Sequence, residues 1–197
     1  NKAIEINPQY ADAYTNRGNA KNRSGDLQGA IADFNKAIEI NPQDAIYYYN
    51  RGSTKNLLAD HLGAIADFNK AIEINPQLAS AYNNRGATKN LLADHLGAIA
   101  DHNKAIAINP QDAATYYNRG VAKGNLKDYQ GAISDYNKAI KINPQLASAY
   151  NNRGSMNGEL GDSQSACNDY KKAVSLGHQS LVQFLNSEGG AWCRNMR

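Results

Sequence analysis

The sequence predicts an all-α chain, an α-solenoid of stacked antiparallel helix pairs, and three observations carry that prediction. The first is a fixed period. Prolines stand at Pro8, Pro42, Pro76, Pro110 and Pro144, each 34 residues after the last, and Gly18, Gly52, Gly86, Gly120 and Gly154 keep the same spacing. A repeat of this length marks units that bury their apolar faces only against their neighbours. The second is helical spacing inside each period: Ala11, Tyr14, Gly18 and Ala20 form one block, and Leu27, Ala30, Ile31, Phe34, Ala37, Ile38 and Ile40 a second. The third is punctuation. Ser24-Gly25-Asp26 reads as a stop followed by an N-cap, and Asn-Pro-Gln after the second block forces the chain out of the helical region.

Taken in order, residues 1–10 repeat 35–44 almost letter for letter and read as the second helix of a truncated unit. Five units follow, 11–44, 45–78, 79–112, 113–146 and 147–178. In each, an aspartate (Asp26, Asp60, Asp94, Asp128, Asp162) precedes the second helix and is placed to accept from its free N–H groups. Gly29, Gly63, Gly97 and Gly131 lie just inside those helices, where a glycine costs roughly 1 kcal/mol and close approach of the paired helices is the expected reason. Ser165, Cys167 and His178 replace glycine, isoleucine and proline in the fifth unit, so the pattern degrades there. Residues 179–187, with Leu181, Val182, Phe184 and Leu185, are expected to form a capping helix, and 188–197 a mobile tail. Trp192 in that tail is either a docking residue or without a role, the second being expected.

Composition excludes several functional classes. A net charge of +3 with 20% charged residues is too mild for a nucleic-acid footprint. No apolar run is long enough to cross a bilayer, so no membrane insertion is expected. Cys167 and Cys193 have neither metal nor redox spacing; two free thiols are expected rather than a disulfide. His61 and His95 occupy one column at the start of second helices and read as solvent-edge residues, and His102 takes a core position. No nucleophile arrangement and no phosphate loop is present, so the chain is read as non-enzymatic, without cofactor or metal.

The repeat resembles the tetratricopeptide repeat, whose pattern runs W-x2-L-G-x2-Y, then A-x3-F, then P. Tyr14, Tyr48, Tyr82, Tyr116 and Tyr150 take the tryptophan place, the glycine column matches in all five units, and Ala30/Phe34, Ala64/Phe68, Ala98/His102, Ala132/Tyr136 and Ala166/Tyr170 fill the A-x3-F pair. The resemblance implies a right-handed superhelix, first helices on its concave side, and a scaffold for peptides and proteins. Two columns depart from the pattern. Arg17, Arg51, Arg85, Arg119 and Arg153 stand where leucine is usual, and Lys21, Lys55, Lys89, Lys123 and Asn157 replace the second tyrosine. A buried guanidinium needs a partner. The equally regular Asp33, Asp67, Asp101, Asp135 and Asp169 supply one, which predicts an internal ion-pair ladder with lysine stems snorkelling beside it.

On the first helices, the face away from the core carries an invariant column: Asn16, Asn50, Asn84, Asn118 and Asn152. Tyr49, Asn83, Tyr117 and Asn151 flank it, giving an uncharged groove rich in amides and hydroxyls. An asparagine amide pairs with the N–H and C=O of an extended peptide regardless of its side chains. With helices ~8–10 Å apart and a strand rise of ~3.3 Å, one asparagine meets about every third peptide residue. The column is similar to the asparagine ladder in the tetratricopeptide superhelix of the O-linked N-acetylglucosamine transferases. The alternative is that these amides bond to neighbouring first helices and tie the stack. The family's carboxylate clamp is not expected, since its cationic places hold neutral residues such as Thr15, Ser80 and Asn83.

The function expected is therefore a non-catalytic protein–protein interaction scaffold whose concave, asparagine-lined groove binds an extended or helical segment of a protein or peptide partner. Two alternatives stay open. One is a self-assembling unit, in which a second copy covers the apolar face of Ala3, Ile4 and Ile6 end to end; the other is the adaptor region of a larger enzyme. The chain starts halfway through a repeat and reads as truncated there. Nothing in it fixes the compartment, the cytoplasm being the expectation.

Overall fold

A computed structural model describes residues 2–194. Among them the regular elements are helices, and the chain divides into two units, one ending at Ile108 and the other starting at Asn109. The first unit holds α1 (Lys2–Ile6), α2 (Ala11–Arg23), α3 (Leu27–Ile40), α4 (Ala45–Leu57), α5 (His61–Ile74), α6 (Ala79–Leu91) and α7 (His95–Ile108). Here α2 pairs with α3, α4 with α5 and α6 with α7; the hairpins stack through α3 on α4 and α5 on α6. The second unit holds α8 (Ala113–Asn125), α9 (Tyr129–Ile142), α10 (Ala147–Glu159), α11 (Ser163–Ser175), α12 (Gln179–Asn186) and α13 (Ala191–Arg194). There α8 pairs with α9 and α10 with α11, α9 packs on α10, and α12 lies against α11. Each unit is thus a stretch of α-solenoid.

The hairpins close because the first helix gives way to a bulky side chain of the second. A Cβ on Gly52 would stand 3.0 Å from Phe68 and 3.1 Å from the Ala64 carbonyl, so only glycine lets α4 and α5 meet there. Around that contact Ala30, Ala64, Ala98 and Ala132 are fully buried. The turn between paired helices is a Schellman motif. In the second repeat Asp60 N–H donates to the Lys55 carbonyl at 2.9 Å and Ala59 N–H to the Asn56 carbonyl at 3.1 Å. Its pivot needs a positive φ. Gly25 and Gly161 supply this at +87° and +83°, but Ala59, Ala93 and Lys127 adopt it at 60–62° despite their Cβ.

The capping carboxylates accept as their position demands, Asp26 from Gly29 N–H at 2.9 Å and Asp162 from Ser165 N–H at 3.0 Å. The same bond explains the glycines differently from the expectation of helix–helix contact. A Cβ on Gly29 would collide with its own capping carboxylate, 2.1 Å from Asp26 Oδ2. The atoms crowding that position belong to the cap, not to the partner helix.

The C-terminal segment departs from expectation most. Cys167 and Cys193 form a disulfide, with Cα atoms 5.2 Å apart, where two free thiols were expected. Residues 188–194 were expected to be a mobile tail; Glu188–Gly190 is a 3₁₀ turn and α13 follows it. Residues 195–197 of that tail lie outside the described residues. The tie has a physical cause. Ser187 breaks α12 after eight residues, and the returning chain brings Cys193 against Cys167 on α11. Trp192 then meets the Tyr170 ring edge-on at 6.4 Å, and Phe184 meets it at 6.0 Å. Leu181 is buried, whereas Val182 faces solvent.

Candidate protein-binding face

The asparagine column runs along α2, α4 and α6 in the first unit and along α8 and α10 in the second. Asn16 is exposed, and Asn50, Asn84, Asn118 and Asn152 are half-buried. Asn84 and Asn152 bond across repeats. Asn84 Nδ2 donates to Tyr49 Oη at 3.2 Å and to Ser53 Oγ at 3.3 Å; Asn152 Nδ2 donates to Tyr117 Oη at 3.1 Å and its Oδ1 accepts from Asn151 Nδ2 at 3.0 Å. Tyr49 and Tyr117 rest on Phe68 and Tyr136, with ring centroids 6.1 and 5.9 Å apart. Among the described residues, the side chains of Asn16 and Asn50 bond to no protein group, and Asn83 is half-buried on the same face as Asn84. Between α4 and α6 this face sinks into a cavity of about 260 Å³ lined by Ser53, Asn56, Leu57, Phe68, Asn84 and Ala87. Phe68 is its buried apolar floor, the exposed Leu57 stands with Ser53, Asn56 and Asn84 around it, and no charged group lines it.

The face is neutral because its charges are used elsewhere. Arg51 donates through Nε and Nη2 to the two carboxylate oxygens of Asp67, at 2.9 and 2.6 Å. Arg17–Asp33, Arg85–Asp101, Arg119–Asp135 and Arg153–Asp169 repeat this fork. All five carboxylates are buried, whereas the arginines keep 17–32% of their side chains in water. The lysines do more than snorkel. Lys21, Lys55, Lys89 and Lys123 reach the same carboxylates at 2.8–2.9 Å, so each of these sites holds two cations on one anion. Burial alone would raise the Asp33 pKa, but hydrogen bonds from Arg17 and Lys21 outweigh it and hold the carboxyl below its usual range. Each guanidinium also lies over the tyrosine three residues before it, 5.4–5.6 Å from the ring centroid.

One further column escaped sequence reasoning. Arg51, Arg85 and Arg153 give Nη1 to Asn35, Asn69 and Asn137 on the second helix of the preceding repeat, at 2.5–2.7 Å. The signal was present, since Asn35, Asn69, Asn103 and Asn137 recur at the repeat period. His61 and His95 donate from Nδ1 to the Asn56 and Asn90 side-chain carbonyls at 2.7 and 2.6 Å. His102 is fully buried beneath Gly86. Among the described residues no group of three His, Cys, Asp or Glu side chains is placed to hold a metal, and no helix is long and apolar enough to cross a membrane.

Comparison with known proteins agrees with this architecture. The chain is similar to a crystal structure of MamA, 26% identical with a TM-score of 0.74 over 83% of this chain and 95% of that one. It also superposes on YrrB, described as a TPR protein with an unusual peptide-binding site, at 23% identity and TM-score 0.72 over 92% of this chain and 95% of that one. PilF of Pseudomonas aeruginosa matches at 18% identity and TM-score 0.81, over 93% and 88% of the two chains. No curated protein sequence matches. Family models described as the tetratricopeptide repeat match residues 11–44, 45–78, 113–146 and 147–176, the repeats that the hairpins above delimit. With two thirds of its length so matched, the chain belongs to the tetratricopeptide repeat family.

Proposed function

We propose that this protein is a non-catalytic interaction scaffold whose first-helix face holds an extended, uncharged segment of a partner protein by its backbone. The observation that carries the reading is the cavity between α4 and α6, where Asn84, Asn56 and Ser53 surround an apolar floor at Phe68 with no charge in the lining. Such a rim offers donors and acceptors to peptide N–H and C=O groups, while the floor accepts one apolar side chain. Asn16 and Asn50 are the amides left to engage ligand; Asn84 and Asn152 divide their capacity between ligand and the neighbouring helix.

A random peptide library displayed on phage and panned against the full chain tests this. Selected peptides should be poor in charge and lose most of their affinity for Asn50→Ala, whose thermal unfolding should match the wild type. Peptides that bind Asn50→Ala equally well would overturn the proposed face. A second reading, self-association, is favoured by one observation. Ala3 and Ile4 of α1, with Tyr10 and Ala13, border an apolar cavity of about 380 Å³ open to solvent. Sedimentation across a concentration series separates the two, because a strict monomer removes the second.

A further inference from the structure

The fifth ion-pair site differs from the other four in two residues, Asn157 in place of lysine and Ser165 in place of glycine, and a cavity opens there. At the fourth site, Lys123 Nζ lies 2.8 Å from Asp135 Oδ2 and 3.5 Å from the Gly131 carbonyl. At the fifth, Asn157 takes the lysine position. Its shorter neutral side chain reaches Asp169 Oδ2 only at 3.3 Å. A cavity of about 370 Å³ opens there, lined among others by Asn137, Arg153, Asn157, Ser165, Asn168 and Asp169. Ser165 and Asp169 are the counterparts of the two residues that hold Lys123 one repeat earlier.

We propose that this cavity is a binding site for a primary ammonium group, and that its occupant is a lysine side chain of a partner protein. Four copies of the same site within this chain set the chemistry, each holding a lysine ammonium on the oxygen that the fifth leaves under-used. Arg153 already covers the forked face of Asp169 through Nε and Nη2, so what remains is the direction on Oδ2 that Asn157 Nδ2 reaches at 3.3 Å and that an ammonium would take in its place. A compact ammonium fits that direction; a planar guanidinium, which needs two parallel acceptors, does not. The buried Asp169 supplies charge, the Ser165 carbonyl a second acceptor, and the wall beside Ile133 room for the aliphatic stem. This site is separate from the groove proposed above and does not depend on it.

The test uses the full chain, ¹⁵N-labelled, titrated with Nα-acetyl-lysine N-methylamide, its norleucine and arginine counterparts, and spermidine. The lysine compound should shift the amide signals of Asn157, Ser165 and Asn168 saturably, at least tenfold more tightly than the norleucine or arginine compound. Asn157→Lys, which restores the residue of the other four sites and so keeps the fold, should abolish the response. Absence of saturation up to the solubility limit, a norleucine or arginine response of equal strength, or persistence in Asn157→Lys overturns the site. A tighter response to spermidine than to the lysine compound overturns the protein source in favour of a free polyamine.

Discussion

Asp67 is where the energetics of the repeat can be tested most directly. Asp67→Asn keeps the shape of the side chain and removes its charge, so no cavity cost enters. It leaves Arg51 and Lys55 facing a neutral amide, with 19% and 22% of their side chains exposed. Breaking a fully buried pair costs about 3–5 kcal/mol. The remaining exposure lets water recover part of that, and Arg51 keeps Asn35 Oδ1 at 2.7 Å and the Tyr48 ring at 5.5 Å. The expected loss is therefore about 2–3 kcal/mol, between the buried and exposed limits. Glu39→Gln is the control. It breaks the exposed Lys36–Glu39 pair at 2.8 Å, which water screens, so its loss should be barely measurable. Repeat arrays open piecemeal, so the measurement is native-state hydrogen exchange on α4 and α5 with urea denaturation beside it. A loss for Asp67→Asn no larger than the control would refute the argument that these carboxylates hold the hairpins together.

Three further outcomes follow from the same structure. Ala59→Gly and Ala93→Gly should each raise stability by up to about 1 kcal/mol, read as a higher melting temperature, because both alanines hold a positive φ. Stability should fall on acidification. The Asp33 pKa is depressed in the fold, so its contribution is complete above the ordinary value of 3.8 and lost as pH drops through the lower folded value, which a urea series from pH 5 to 2 would follow. Reducing the disulfide, which spans 26 residues, should cost about 3–4 kcal/mol in the chain-entropy account. Hydrogen exchange should place that loss in α12 and α13 and leave α4–α6 unchanged.

What was legible in the sequence depended on local physics or on the period itself. The helix pairs, their capping aspartates and the Asn-Pro turns are each written within a few residues, and repetition shows them five times over. Pairing Arg17 with Asp33 needed one further step, the face of a helix on which each lies. Beyond that, reading failed where two distant surfaces meet. Nothing in the string says that Tyr49 Oη reaches Asn84, or that Asn35 receives the outer nitrogen of Arg51, because both depend on how hairpins slide past each other. The lysines were misjudged because snorkelling and pairing look alike until the carboxylate is placed. Cys167 and Cys193 gave no clue to their bond, since the turn at Ser187 that brings them together has no periodic signal.

That covalent link has a consequence for how the molecule comes apart. In a linear array, melting starts at whichever hairpin has a neighbour on one side only. The last hairpin would be such a starting point, yet a bridge from α11 to α13 fastens it to its own cover. While the bridge stands, α12 and α13 cannot peel away from α11 independently, and a thiol reductant frees them to do so.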